Sequence, residues 1–222
     1  MALRALSIAA TGGRAMMDRI DAIARNLAHA GTPAYKKTRA NFADLLDQKV
    51  QGAGVRLASV EKLYHPGALR RPGRELDLAI EGEGFLRLRG ADGAVAYTRG
   101  GRFDLDAEGR LVTSDGYRLD APLDPEKGWT PEALGRIGIT RFVNPSGLEA
   151  VGDTLYRETP ASGGPVDGVG RIRPGFLEES NVDAVQELVE LISALRTFEI
   201  NTKCIETADQ VLQTLNALRL RR

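Results

Sequence analysis

Apolar residues recur at steps of three and four near both ends of the chain and at steps of two in the middle. The series Val185, Leu188, Ile192, Leu195, Phe198, Ile205, Ala208, Leu212 and Leu215 has helical spacing, with a slip in phase around 198–202. A narrower series, Leu3, Leu6, Ala10, Gly13, Met17, Ile20, Ile23 and Leu27, runs through the first stretch. A helix with such a stripe needs a partner to cover it. The spacing predicts one helix over 3–28 and another of about 40 residues, which at 1.5 Å per residue spans about 60 Å. That is longer than a compact domain of this size uses. Stripes at opposite ends of a sequence cover each other or their copies in neighbouring subunits, which points to assembly rather than catalysis.

Boundary signals agree with this reading. Gly31 and Pro33 suit a helix stop, whereas Gly12 and Gly13 weaken the first helix by about 1 kcal/mol each relative to Ala. Ser180 followed by Asp183 resembles a capping box, and Glu178, Glu179 and Asp183 place negative charge at the positive end of the second helix.

Between the helices, Leu76, Leu78 and Ile80 alternate with Glu75, Asp77 and Ala79, and Leu86 and Leu88 alternate with Arg87 and Arg89. Val95, Tyr97, Phe103 and Leu105 continue the pattern, with glycine turns at 81–84, 91–93, 106–109 and 114–116. Two-residue periodicity with such turns predicts an antiparallel β-domain. Over 35–75 the pattern is mixed: Phe42, Leu45 and Leu46 suggest a short helical or irregular piece, and Gly52-Ala53-Gly54 a break. The expected fold is therefore α+β. N- and C-terminal helices (1–34 and 178–222) pair as a coiled-coil-like assembly domain, an extended segment (35–75) connects, and an antiparallel all-β domain (76–177) lies between them.

Composition removes several function classes. In 222 residues, 30 Lys and Arg balance 30 Asp and Glu, and the arginine clusters at 70–74 and 219–222 make no phosphate track, so no nucleic acid is expected as partner. No run approaches the roughly 20 apolar residues that span a bilayer, so no membrane insertion is expected. The run 5–10 is short for a secretory h-region and contains Ser7, so export without a cleaved signal peptide is expected. The single cysteine, Cys204, excludes an intramolecular disulfide. His29 and His65 are not at ligand spacing, and Asp77, Glu81 and Glu83 read as solvent-facing charge. No catalytic, cofactor-binding or metal-binding residues are assigned, and no cofactor is expected.

Several motifs, in order, resemble one family, the rod and hook axial proteins of the bacterial flagellum. Asn26-Leu27-Ala28 followed by Thr32-Pro33-Ala34-Tyr35-Lys36 is similar to its Asn-Leu-Ala…Thr-x-Gly-(Phe/Tyr)-Lys signature. The stretch from Leu76 to Phe85, then Ala96-Tyr97-Thr98-Arg99 with Gly101-Arg102-Phe103, resembles the core of the larger members. Leu177-Glu178-Glu179-Ser180-Asn181-Val182 and Arg196-Thr197-Phe198-Glu199-Ile200-Asn201 resemble its C-terminal segment. Ala34 stands where the signature has Gly, Leu195 and Thr197 replace the commoner Gln and Ala, and the stretch 49–55 is shortened.

Within the family the distal-rod type fits best. The resemblance implies a non-enzymatic subunit of a hollow helical drive shaft that carries torque from motor to hook, in the basal body, where the rod crosses the periplasm. The implied partners are copies of itself, other rod proteins, the hook protein and surrounding ring proteins, with the β-domain placed outside. The expected assembly seam is Leu6, Ile20, Ile23, Leu27, Val185, Leu188, Ile192, Leu195, Ile205, Leu212 and Leu215. The expected motif residues are Asn26, Tyr35, Lys36, Ser180, Asn181, Arg196, Phe198 and Glu199. The rivals are a proximal rod protein of the same family and a non-flagellar coiled-coil scaffold with a β-head.

Overall fold

The structure is a computed structural model and describes residues 2–47, 52–121 and 128–219. Helix α1 (Ala2–Ala28) leads into a hairpin of β1 (Thr38–Asp47) and β2 (Gly52–Lys62). Then come β3 (Leu69–Arg70), β4 (Leu78–Glu81), β5 (Leu86–Arg89), β6 (Val95–Thr98), β7 (Asp104–Leu105), β8 (Leu111–Val112) and β9 (Arg118–Leu119). The one-turn helix α2 (Pro131–Leu134) precedes β10 (Thr140–Arg141), β11 (Glu149–Ala150), β12 (Leu155–Arg157), β13 (Val166–Asp167), β14 (Arg171–Pro174) and β15 (Leu177–Glu178). Helix α3 (Ala184–Arg219) closes the chain order. These elements form two compact units: Met1–Ala28, Thr38–Lys62 and Asp183–Arg222 make one, and His29–Lys37 with Leu63–Val182 make the other.

In the helical unit α1 and α3 run side by side in opposite directions: Asn26 bonds Glu187, Gly13 lies near Phe198, and Gly12 lies against Asn201. The side of α3 turned to α1 carries Glu187, Leu191, Ala194, Phe198, Asn201, Ile205, Ala208 and Leu212, all buried or half-buried. These steps alternate four and three without interruption. The slip expected around 198–202 is therefore absent; the stripe continues through a polar residue, Asn201, that an apolar count skips. Gly12 explains its own cost in helix propensity, because a Cβ there would stand 3.3 Å from the Asn201 amide nitrogen.

The hairpin packs on α1, and a register shift falls between Asn41 and Phe42. A two-stranded hairpin is marginal alone, so α1 supplies the surface that orders it. Phe42, Leu45 and Leu46 therefore lie in a strand, not in the short helical or irregular piece that their spacing suggests. Of the shortened stretch, 49–51 lies outside the described residues, and Gly52–Val55 opens β2.

The α3 cap also differs from expectation. Asp183 Oδ1 accepts from the backbone N–H of Val185 at 2.9 Å and of Gln186 at 3.2 Å, so Asp183 is the N-cap. Ser180 Oγ instead accepts from Val182 N–H. The helix starts later than the box suggests because Asn181 is committed to other bonds, described below.

The second unit is built around a seven-stranded antiparallel sheet, ordered β11-β12-β6-β5-β9-β8-β7. Leu86 and Leu88 point into a core with Leu78, Ile80, Phe103, Leu111 and Ile172, while Arg87 and Arg89 are exposed. Here the sequence alternation reads true. A second, aromatic cluster gathers Phe85, Tyr97, Phe142 and Tyr156. Strand β4 departs from simple alternation: it pairs with β14 and is buried on both faces over Leu78–Ile80.

Candidate functional site: a buried ionic anchorage

Lys36, Arg99 and Glu178 come together inside the β unit, although they are 63 or more positions apart in sequence. Lys36 and Glu178 side chains are fully buried, and Arg99 nearly so. Lys36 Nζ donates to Glu178 Oε1 at 2.5 Å and to the His65 carbonyl at 2.9 Å. Arg99 Nε donates to Glu178 Oε2 at 2.8 Å, and its other nitrogens reach the Gly84 carbonyl at 2.8 Å and the Gly82 carbonyl at 3.0 Å. The Gly67 N–H gives Glu178 Oε1 a further bond at 2.9 Å. One carboxylate thus faces two cations, and main-chain carbonyls absorb the excess positive charge. Burial pushes the Lys36 ammonium below its ordinary value of 10.5, with the Glu178 carboxylate working the other way.

Around this trio, side-chain and main-chain bonds stitch three chain passages together. Asn181 accepts from Lys37 N–H at 2.6 Å and donates to the Leu63 and His65 carbonyls at 2.7 and 3.1 Å. Ala34 N–H bonds Glu178 O, and Glu179 N–H bonds Ala68 O. Residues 34–37 and 178–181 are the passages by which the chain leaves this unit after 37 and 182, and 63–68 the passage by which it re-enters at 63. Ala34, which replaces the signature glycine, adopts φ 58° all the same, a conformation that costs a non-glycine residue about 1–2 kcal/mol. At Gly67 a Cβ would lie 2.0 Å from the Glu179 carbonyl oxygen. Gly67→Ala should therefore displace backbone and destabilise the unit by about 1–3 kcal/mol, read as a lower urea midpoint.

Tyr35, Lys36 and Asn181, all motif residues read from sequence, meet here. Asn26 stands in the other unit, where its amide bonds both the N–H and C=O of Thr38 at 2.8 Å and Glu187 at 3.1 Å. It thereby satisfies the edge of β1 as a neighbouring strand would. Phe198 is half-buried, while Arg196 and Glu199 are exposed. Arg99 and Glu178 are the functional residues that the sequence reading does not assign. Glu178 reads as a helix-end charge, whereas the structure buries it in the anchorage, well before α3 begins.

The seam residues divide. Ile23 is buried, and Leu6, Ile20, Leu27, Ile205 and Leu212 are half-buried. Val185, Leu188, Ile192 and Leu195 are 72, 45, 54 and 43% exposed. The Leu215 side chain lies outside the described residues.

Asp77 corrects another expectation. It is fully buried rather than solvent-facing, and neither carboxylate oxygen has a hydrogen-bond partner among the described residues; Arg74 Nε stands 3.9 Å away. Burial holds its carboxyl above the ordinary 3.8, against the pull of Arg74 and Arg102. The folded chain thus binds this proton more tightly than the unfolded chain. Its stabilising contribution is complete below 3.8 and is lost as pH rises through the raised folded value. Asp77→Asn should accordingly be more stable than the parent at pH 7 by on the order of 1 kcal/mol. That advantage should shrink as pH falls below the ordinary carboxylate value, measured by urea titration across pH.

The charges of the anchorage are consumed by one another and by main-chain carbonyls, and the polar groups around it hold backbone in place. A centre of this kind fixes backbone rather than presenting reactive groups, and on α3 the residues Val185, Leu188, Ile192 and Leu195 stay exposed. Residues 173–218 match the family described as Flagellar basal body rod FlgEFG protein C-terminal, and residues 79–142 match Flagellar hook protein FlgE/F/G D1 domain. The chain is 38% identical to the flagellar basal-body rod protein FlgG of Agrobacterium fabrum, over 94% of this chain and 97% of that protein. It is 36% identical to FlgG of Borreliella burgdorferi, over 98 and 99%, and 30% identical to FlgF of Caulobacter vibrioides, over 86 and 88%. This chain belongs to the flagellar basal-body rod protein family and is a structural subunit rather than an enzyme. The Agrobacterium alignment runs over 253 positions against 222 residues, so this chain lacks segments that the relative carries.

Proposed function

We propose that this protein is the distal-rod type of subunit, polymerising into a hollow helical shaft in the flagellar basal body that carries torque from motor to hook. The carrying observation is the exposed stripe Val185, Leu188, Ile192 and Leu195 on α3, on the side away from the residues that meet α1. A contact of one surface with a different surface of the next copy, repeated by a rotation that does not close, generates a filament. Apolar burial at about 25 cal/mol per Å2 then adds along every subunit. The steps of four and three on the inner side of α3 suit coiled-coil-like packing on α1. The anchorage serves the same end by holding three chain passages fixed to one another under load. The distal rather than proximal type is favoured because FlgG relatives match at up to 38% identity over nearly the full length, against 30% for FlgF.

Copies of itself are the first partner, with other rod proteins, the hook protein and the surrounding rings as further contacts. Among the described residues no helix is long and apolar enough to cross a membrane. Electron microscopy of the purified, concentrated protein tests the reading: channelled tubes are expected, whereas closed bundles or a permanent monomer would overturn it.

A further inference from the structure

On the inner stripe of α3, residues seven apart form two columns. Leu191, Phe198, Ile205 and Leu212 make one, apolar throughout. Glu187, Ala194, Asn201 and Ala208 make the other, in which polar and small residues alternate. Its two polar members meet α1 at matching places. Glu187 accepts from the Asn26 amide at 3.1 Å, and Asn201 lies against Gly12, where an added Cβ would stand 3.3 Å from the amide nitrogen. Glu187 and Asn201 are 14 residues apart on α3, as Asn26 and Gly12 are on α1. Both contacts therefore specify one and the same register of the antiparallel pair.

The end of the pair near Asn26 has a further tie, since Arg19 pairs with Glu190 at 3.5 Å. Beyond Asn201, at the far end, no hydrogen bond or ion pair joins α1 to α3 among the described residues, and Ile205, Ala208 and Leu212 are left to apolar contact. Apolar contact is non-directional, so such a surface tolerates a slip of one turn, about 5 Å along the axis. Asn201 does not. Opposite Gly12 no side chain covers it, and the half-buried amide keeps contact with water. One turn away it would lie against Ala9 or Met16 and lose that water without gaining a partner. A lone polar residue in an apolar seam fixes register in this way, at a cost in stability. We propose that Asn201 and Gly12 are positioning residues that fix the register of the far half of α1 on α3, so that every copy presents the same outer surface to its neighbours. The bearing on assembly rests on the filament reading above, whereas the register itself is a property of the single subunit.

Pulsed electron paramagnetic resonance on the full chain tests the register. Ser7→Cys and Thr207→Cys, both at exposed positions, carry nitroxide labels in a Cys204→Ser background, and dilution into unlabelled chain leaves only intrachain distances. The parent should give one narrow distance. Asn201→Leu should keep the parent's helicity and a thermal midpoint at or above the parent's. Its distance distribution should nevertheless be at least about twofold wider, with a component displaced by about 5 Å, one turn of helix. Asn201→Ser, which keeps a polar group, should stay narrow. A narrow distance in Asn201→Leu, a loss of its helicity, or equal broadening in Asn201→Ser would overturn the assignment of register to Asn201. Sedimentation of the same variants reads assembly separately: a fall in polymer yield for Asn201→Leu is expected, and parental yield from a chain of broadened register would overturn the bearing on assembly alone.

Discussion

Glu178→Ala is expected to cost more stability than any other single substitution in the β unit. Removing the carboxylate leaves Lys36 and Arg99 buried beside each other with no counter-charge, and breaking a buried pair in this way costs about 3–5 kcal/mol. For a protein of this size that lowers the thermal midpoint by on the order of 10 °C. Trp129, the only tryptophan, lies in the same unit and donates to the Gly109 carbonyl, so its fluorescence reports the transition. A triple replacement of Lys36, Arg99 and Glu178 by methionine separates two explanations. Where charge imbalance is the cause, the triple variant recovers much of the loss, because a buried ionic group replaced by apolar residues of similar volume is often neutral. An alanine variant with the parent's midpoint would remove the anchorage from any account of this unit.

Leu188→Asp combined with Ile192→Asp should abolish polymerisation while leaving the subunit folded. Both side chains are about half exposed in the single chain, so the unfolding free energy from urea titration should stay within about 0.5 kcal/mol of the parent. In a copy-to-copy contact the same carboxylates would be desolvated without partners, a cost of several kcal/mol or more at every subunit. Sedimentation at rising concentration is the readout, with motility of a complemented strain as the second. Leu212→Asp makes the contrast. Leu212 lies on the α1-facing stripe, so its charge should loosen the subunit itself and lower helicity before any assembly. Tubes and swimming at parental levels from the Leu188/Ile192 double variant would assign the stripe no role.

The periodicities were sufficient for the long helices and for the strand alternation at Leu86–Arg89, because helix and strand spacing are local properties of the chain. The motif order was sufficient for the family. Three features were not legible in this way. Asp77 sits at a position whose neighbours alternate, but β4 is covered on both faces, and only the packing of β14 and the core imposes that. Phe42–Leu46 carries no strand period strong enough to outweigh a helical reading; the partner strand and α1 decide it. Asn201 is polar, so it vanishes from an apolar count, yet it occupies the inner stripe because Gly12 leaves room for it.

By itself, then, the sequence determined where the long helices run, that a β-rich unit separates them, that apolar residues recur at helical spacing in both helices, and which family its motifs match. Only the tertiary structure decided which stripe of α3 turns to α1 and which stays open. It alone joined Lys36, Arg99 and Glu178. The reason is range: helix and strand patterns are written within a few residues, whereas charge pairing across 79 and 142 positions exists only once the backbone has brought those passages together.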